Sequence, residues 1–526
     1  MIEIYKTRCH FVISISPTAP AIAYFYGTCK KIWIMQERRR KHNSVQHLSS
    51  QNLYQSSVSI GFDLILTIYL TISLLFYELH EFILFHSTII KMVKKKRTIT
   101  IVLIFSLAVM IPILYLIHNS FTALAAPSIA KDPNLKVETV VSGLSAPTSM
   151  AFIDNSNILV LEKGGLVRLV SNGALQGKPV LQVPVDTESE RGLLGIAIMN
   201  ITESGNSARN NNNNKFVFLY YTESKGRDLR NRVYRYIWDE KNQNLVNPTL
   251  ILDLPALPGP NHDGGKLVIG SDHYLYAVIG DLNHRGKLQN INNGPDPDDT
   301  SVILRVNPYD GSAAKNNPFI NNANSVMHKY YAYGIRNSFG ITFDPVTGNL
   351  WDTENGEADY DEINLVKAGF NSGWTQVMGP IARNVGISTD QLVNYPSSRY
   401  ANPDTHIGFA NPVFSWNDPV AVTDIEFMKS SKLGEKYKNN VFVGDYNYGT
   451  LYYFEVNSTR TGFKFDPNVQ PGLIDLVADN QNEVSEVTFG TGFGAITDMK
   501  TGPVDGFLYV LSINDGNIYR IVPSAK

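Results

Sequence analysis

Cysteine is nearly missing from this 526-residue chain. The only two, Cys9 and Cys29, lie near its start, so nothing beyond them can form a disulfide or a thiolate metal site. After Lys136 there is almost no 3.6-residue apolar periodicity longer than two turns, which excludes a helical bundle. Concentrated positive charge is also lacking where the chain is globular. Residues 1–125 hold 13 Lys and Arg against 5 Asp and Glu, whereas residues 126–526 hold 33 against 43. An acidic domain without a basic cluster excludes nucleic acid as a partner, because phosphate binding needs dense positive charge.

The start of the chain is apolar and basic. Lys94-Lys95-Lys96-Arg97 precede the uncharged run Ile101–Ile117, and Ala123-Leu124-Ala125 has the small-x-small form of a cleavage site. Residues 92–126 are therefore expected to be a signal peptide or membrane anchor, with the membrane as a partner and the rest of the chain outside the cytoplasm. Residues 1–91 read either as an over-extended start ahead of Met92 or as a multi-span anchor. N-terminal sequencing of the native protein decides between them.

The remainder consists of short strands separated by Gly, Asn, Asp and Pro. A strand–turn–strand unit recurs six times, starting at residues 157, 215, 273, 348, 440 and 506. A constant unit at irregular spacing predicts an all-β fold over residues 136–526, a six-bladed β-propeller of four-stranded blades with long loops. Seven blades or a two-sheet sandwich are the alternatives. Residues 136–141, KVETVV, are placed to close the ring against the last blade.

Several polar groups stand at strand mouths. His262 is followed by Asp263-Gly264-Gly265, glycines that let the backbone approach a ligand or take positive φ. Asp281 closes the next strand and is placed to orient His262 as a base. Arg336-Asn337 follow a glycine, where an arginine stabilises an oxyanion, binds an acidic cofactor, or ties two blades together. Glu354, Glu357, Asp359, Asp361 and Glu362 crowd into nine residues, a density that a hard cation such as Ca²⁺ would relieve and that a solvated loop would also tolerate. Trp351, Trp374, Trp416, Tyr446 and Tyr448 are candidates for stacking on a sugar or planar cofactor, or for packing between blades.

Taken together, LSAPTSMAF at 144–152, ERGLLGIAI at 190–198, NHDGGKL at 261–267, LYAVIGD, ILRVNP, YGIRNSFGITFDPVTGNLW, DEINLVKAGFNSGW and the closing GFLYVLS with GNIYRI resemble the soluble quinoprotein glucose/sorbosone dehydrogenase family. The resemblance spans about residues 138–522. It implies a six-bladed propeller that oxidises sugar hydroxyls outside the cytoplasm with pyrroloquinoline quinone (PQQ) and Ca²⁺. By the same resemblance His262 is the general base, Asp281 its orienter, and Arg336 with Asn337 the pair near the quinone oxygens. Glu190 contacts the cofactor region, and Gly356 and Glu357 offer backbone carbonyls to calcium. The family's two quinone-binding arginines are replaced by Gly494-Ala495-Ile496-Thr497-Asp498, and its lysine by Asp445-Tyr446-Asn447. Arg336, Lys266 and Arg285 are the cations left to compensate.

The function expected is therefore a PQQ- and Ca²⁺-dependent oxidoreductase acting on a sugar or polyol and passing electrons to an unknown acceptor. The alternatives are a non-catalytic extracellular propeller that binds carbohydrate or protein, and a Ca²⁺-dependent lactonase or esterase whose metal and base activate water.

Overall fold

Residues 126–201, 215–225, 228–395 and 408–524 are described by a computed structural model. Their strands form six separate sheets. Each recurring strand pair read from the sequence falls in a different sheet and pairs antiparallel; five of the six are joined by short turns, whereas Leu275–Ile279 and Val302–Val306 are joined by the long loop 280–301. Pro147–Phe152, Leu193–Asn200, Leu267–Ile269, Ser338–Phe343, Val422–Phe427 and Ile496–Thr501 each begin one sheet. These six strands contact one another in that order, and the last returns to the first, so they line a central axis.

Apolar residues fill the gaps between sheets. Strands such as Leu275–Ile279 and Val302–Val306 are buried along their whole length, which explains why they read as unbroken apolar runs rather than alternating ones. One apolar cluster lies between each neighbouring pair of sheets; Leu159, Leu161, Val217 and Leu219 belong to one, Trp351, Phe414, Val441 and Val443 to another. The ring is closed by the strand Leu135–Val141, which pairs antiparallel with the final strand Asn517–Pro523. Ser128–Ile129 pairs with Gly490 and Thr491 in the preceding sheet.

Two expectations are corrected. The blades are not uniformly four-stranded: the sheets hold four, five or six strands. The extra strands come from the long loops, for example Phe370–Asn371 and Gly408–Phe409, which extend the sheet beside Tyr330–Tyr333. The membrane-spanning anchor, and with it the membrane as a partner, is also not supported. No helix among the described residues is long and apolar enough to cross a membrane. The calls on residues 1–91 and 92–125 lie outside the described residues.

Candidate active site on the ring axis

A cavity of about 360 Å³ opens on the central axis. Thr148, Leu194, Phe339, Thr423 and Thr497 face it from five of the inner strands, and Lys266 closes the gap beside the sixth. Lys266 also belongs to a buried ionic quartet. Lys266 Nζ is 2.7 Å from Asp424 Oδ1 and 2.9 Å from Asp498 Oδ1, and Lys500 also pairs with Asp498. Asp498 Oδ2 further accepts from Ser149 Oγ at 2.5 Å and the Met150 amide at 2.7 Å. Burial works to raise Asp498, but the two ammonium groups overcome it and hold the carboxyl well below its usual range. Four sheets are tied together at this point.

His262 sits on the cavity's edge, two residues before Gly264 in its wall. Its backbone is left-handed, with φ of 66°, and Gly264 and Gly265 follow with φ of 61° and 105°. Glycine is required at 264, since a Cβ there would lie 2.8 Å from the Val278 carbonyl oxygen. A histidine held in αL is strained, and such strain persists only where the surroundings impose it. They do so here: the His262 amide donates to Glu190 Oε2 at 2.7 Å, and His262 Nδ1 lies 2.5 Å from Asp281 Oδ1. Among the described residues no hydrogen bond engages Nε2, which leaves that nitrogen for a ligand.

Asp281 is fixed from three further directions. Its amide donates to the Arg336 carbonyl at 2.8 Å. Oδ1 accepts from the Asn283 amide and Oδ2 from Trp374 Nε1, both at 2.7 Å. The expected base, orienter and arginine therefore lie in one hydrogen-bonded network. Asn337 joins it, as Nδ2 donates to Glu190 Oε2 at 3.0 Å. The Arg336 guanidinium lies 5.2 Å from the Trp374 ring centroid, and its Nη1 donates to the Asn355 carbonyl at 2.9 Å. Arg336 Nε and Asn337 Oδ1 are buried without partners, one donor and one acceptor.

Glu354, which no sequence argument singled out alone, supports Arg336 from behind. Its Oε1 accepts the Arg336 amide at 2.6 Å and its Oε2 accepts Ser372 Oγ at 2.5 Å. Burial pushes this carboxyl up to about 7 in spite of those bonds. Asp263 is pushed up to about 7 by burial as well, against a bond from Asn231 Nδ2, and its second oxygen has no partner.

The acidic run does not converge on one ion. Glu354, Asp361 and Glu362 are buried, while Glu357 and Asp359 face solvent. Among the described residues no three acidic, histidine or cysteine side chains are grouped to hold a metal. Asp361 instead accepts the amides of Gly356, Val420 and Val422 at 2.9, 2.9 and 3.1 Å. At Gly356 the carbonyl oxygens of Asp359 and Tyr360 crowd in so closely that a Cβ would collide with both. This is a cradle of backbone oxygen beside the exposed Glu357. Of the aromatic candidates, Trp351 and Trp416 are packed in the core, Trp374 serves Asp281, and Tyr446 lines the cavity at 48% exposure.

The family description "Glucose / Sorbosone dehydrogenase" matches residues 144–520. Aldose sugar dehydrogenase YliI of Escherichia coli is 26% identical over 401 residues, covering 75% of this chain and 94% of that protein. Quinoprotein glucose dehydrogenase B of Acinetobacter calcoaceticus is 30% identical over 275 residues, 48% of this chain and 54% of the relative. The PQQ-bound aldose sugar dehydrogenase of Streptomyces coelicolor has the same fold, with a TM-score of 0.53 at 23% identity, covering 75% of this chain and 100% of that one.

Proposed function

The chain belongs to the glucose/sorbosone dehydrogenase family, and from that premise we propose that it oxidises a hydroxyl of a sugar or polyol with His262 as the base. The family relation supports redox chemistry on such substrates. One observation carries the finer reading: the 2.5 Å contact of His262 Nδ1 with Asp281 Oδ1, which leaves Nε2 unengaged at the cavity's edge.

Oxidation of a hydroxyl removes a proton from oxygen and a hydride from carbon. Nε2 takes the proton, as a base must lie within hydrogen-bond reach of it. Asp281 holds the ring in one orientation and lies beside the positive charge that the ring acquires. Trp374 and Asn283 keep the carboxylate from turning away. Arg336 Nε would donate to an oxygen of a bound ligand, and Asn337 Oδ1 would accept from one of its O–H or N–H groups.

The residues present fit PQQ only together with a divalent cation. Lys163, Glu190 and Lys266 are the charged groups on the cavity wall, and Lys266 is spent on Asp424 and Asp498. With Arg336 beside the wall, the unspent side chains carry a net single positive charge. Three carboxylates exceed that, and a buried charge left unpaired costs several kcal/mol. A calcium ion would remove the excess, and the backbone oxygens around Gly356 have the hardness it would prefer. When bound, the quinone would supply the two-electron acceptor for the hydride. The basic run followed by Ile101–Ile117 supports action outside the cytoplasm.

The experiment is to incubate the protein with Ca²⁺ and PQQ and follow reduction of a dye across a panel of sugars and polyols. His262→Ala should lower turnover by about 10²–10⁴-fold, the usual worth of a general base. Unchanged turnover would sink the role of His262, and no turnover with any substrate would sink the oxidation.

A further inference from the structure

Lys163 stands on the cavity wall in a position no sequence argument marked. It directly follows the strand Asn157–Glu162, one residue before the Gly164-Gly165 turn. Its stem is laid against Gly192, where φ is +154° and an added Cβ would lie 2.7 Å from Lys163 Cγ. A side chain at 192 would therefore push the lysine out of place. Nζ donates to the Thr187 carbonyl at 3.1 Å and the Ser189 carbonyl at 2.5 Å. Both are neutral oxygens. They fix the ammonium in space, leave it one hydrogen, and do not cancel its charge.

Of the other two charged wall residues, one is an ion-paired cation and the other an anion. Lys266 is matched by Asp424 and Asp498, and Glu190 Oε2 is occupied by the His262 amide and Asn337. Among the described residues Lys163 has no ion pair with an acidic side chain. It is therefore the cation on this wall whose charge is open to a ligand.

We propose that Lys163 binds an anionic group of the planar ligand in the central cavity. It thereby supplies part of the positive charge missing at 494–498 and 445–447. The inference deepens the oxidoreductase reading and rests on it for the planar, redox-active class of the ligand. The shared chemistry is a flat ring system carrying negative charge. It is met either by PQQ with calcium or by a quinone with a single acidic group.

Equilibrium binding to the full chain, read by quenching of intrinsic fluorescence, tests this without turnover. The probes are PQQ with millimolar Ca²⁺, anthraquinone-2-sulfonate, and the neutral 2-(hydroxymethyl)anthraquinone. Lys163→Met should weaken at least one anionic probe by roughly tenfold or more, the scale of a lost charge-assisted hydrogen bond. The neutral probe should stay within about twofold, and Lys163→Arg should restore the anion. Which anionic probe responds identifies the source of the negative charge. The proposal is overturned if the methionine variant binds both anions as the parent does, if it loses all three probes equally, or if the parent binds neither anion. Loss of sugar oxidation in His262→Ala with this binding pattern intact supports both readings. Retained oxidation in that variant would sink the base and leave Lys163 standing.

Discussion

Trp374 Nε1 donates to Asp281 Oδ2 at 2.7 Å, so the carboxylate that faces His262 is held from a segment 93 residues further along the chain. The same indole ring lies under the Arg336 guanidinium. Trp374→Phe keeps the ring and removes the donor. Turnover of the sugar substrate should fall by about 10–10²-fold, the worth of one hydrogen bond to a charged group, with KM little changed. A fall in affinity with kcat unchanged would mean that Trp374 serves binding instead.

Asp281→Asn changes what the orienter can accept from the imidazole while conserving its shape. A base in the wrong tautomer cannot take the substrate proton, so kcat should drop by about 10²-fold or more. Far-ultraviolet circular dichroism should be unaltered. Turnover equal to the parent's would remove Asp281 from the mechanism.

Asp263 gives a pH signature. Burial raises its carboxyl to about 7 in the folded state, above its ordinary value of 3.8, so the native state binds the proton more tightly than the unfolded chain. Its contribution is fully present below about pH 4 and is lost as pH rises to about 7. Glu354, also raised to about 7, acts in the same direction and window. Thermal melts of the parent should weaken over this interval, and Asp263→Asn should flatten part of the fall. A variant with the parent's slope would contradict the assignment.

Lys266→Met removes the shared partner of Asp424 and Asp498 and leaves two buried carboxylates facing Lys500 alone. Breaking a buried pair from one side costs about 3–5 kcal/mol. Chemical denaturation should show a loss of that order. A loss below about 1 kcal/mol would mean that the quartet contributes little to holding the ring together.

Much of the ring was legible because its signals are local. Turn residues and apolar runs mark each hairpin, and both come from a few adjacent positions. The meeting of His262 and Asp281 was legible as well, since His262 precedes two glycines and Asp281 follows a strand. The acidic run misled because density along a sequence carries no direction. Glu354 and Glu362 face each other across paired strands, whereas Glu357 and Asp359 occupy the exposed turn between them. Lys163 was invisible for a related reason. What sets it apart is two carbonyl oxygens more than twenty residues away and the absence of an acid, and neither leaves a mark beside it. Lys266 looked like a spare cation until Asp424 and Asp498, from two other sheets, were found on either side of it.

The pairing of Leu135–Val141 with Asn517–Pro523 also governs the order in which the molecule can be assembled. A chain emerging from its N-terminus carries the outermost strand of the sixth sheet early and must wait for almost all of the remaining residues before that strand finds its neighbour. Until then Leu135 and Val137 lack the apolar partners they have in the finished ring, among them Ile521. Contacts so distant in sequence are the slow ones to form. Emergence of Asn517–Pro523 is thus the earliest moment at which the circle can lock. Loss of Asn517–Pro523 would leave Leu135–Val141 as an open edge, ready to pair with another molecule.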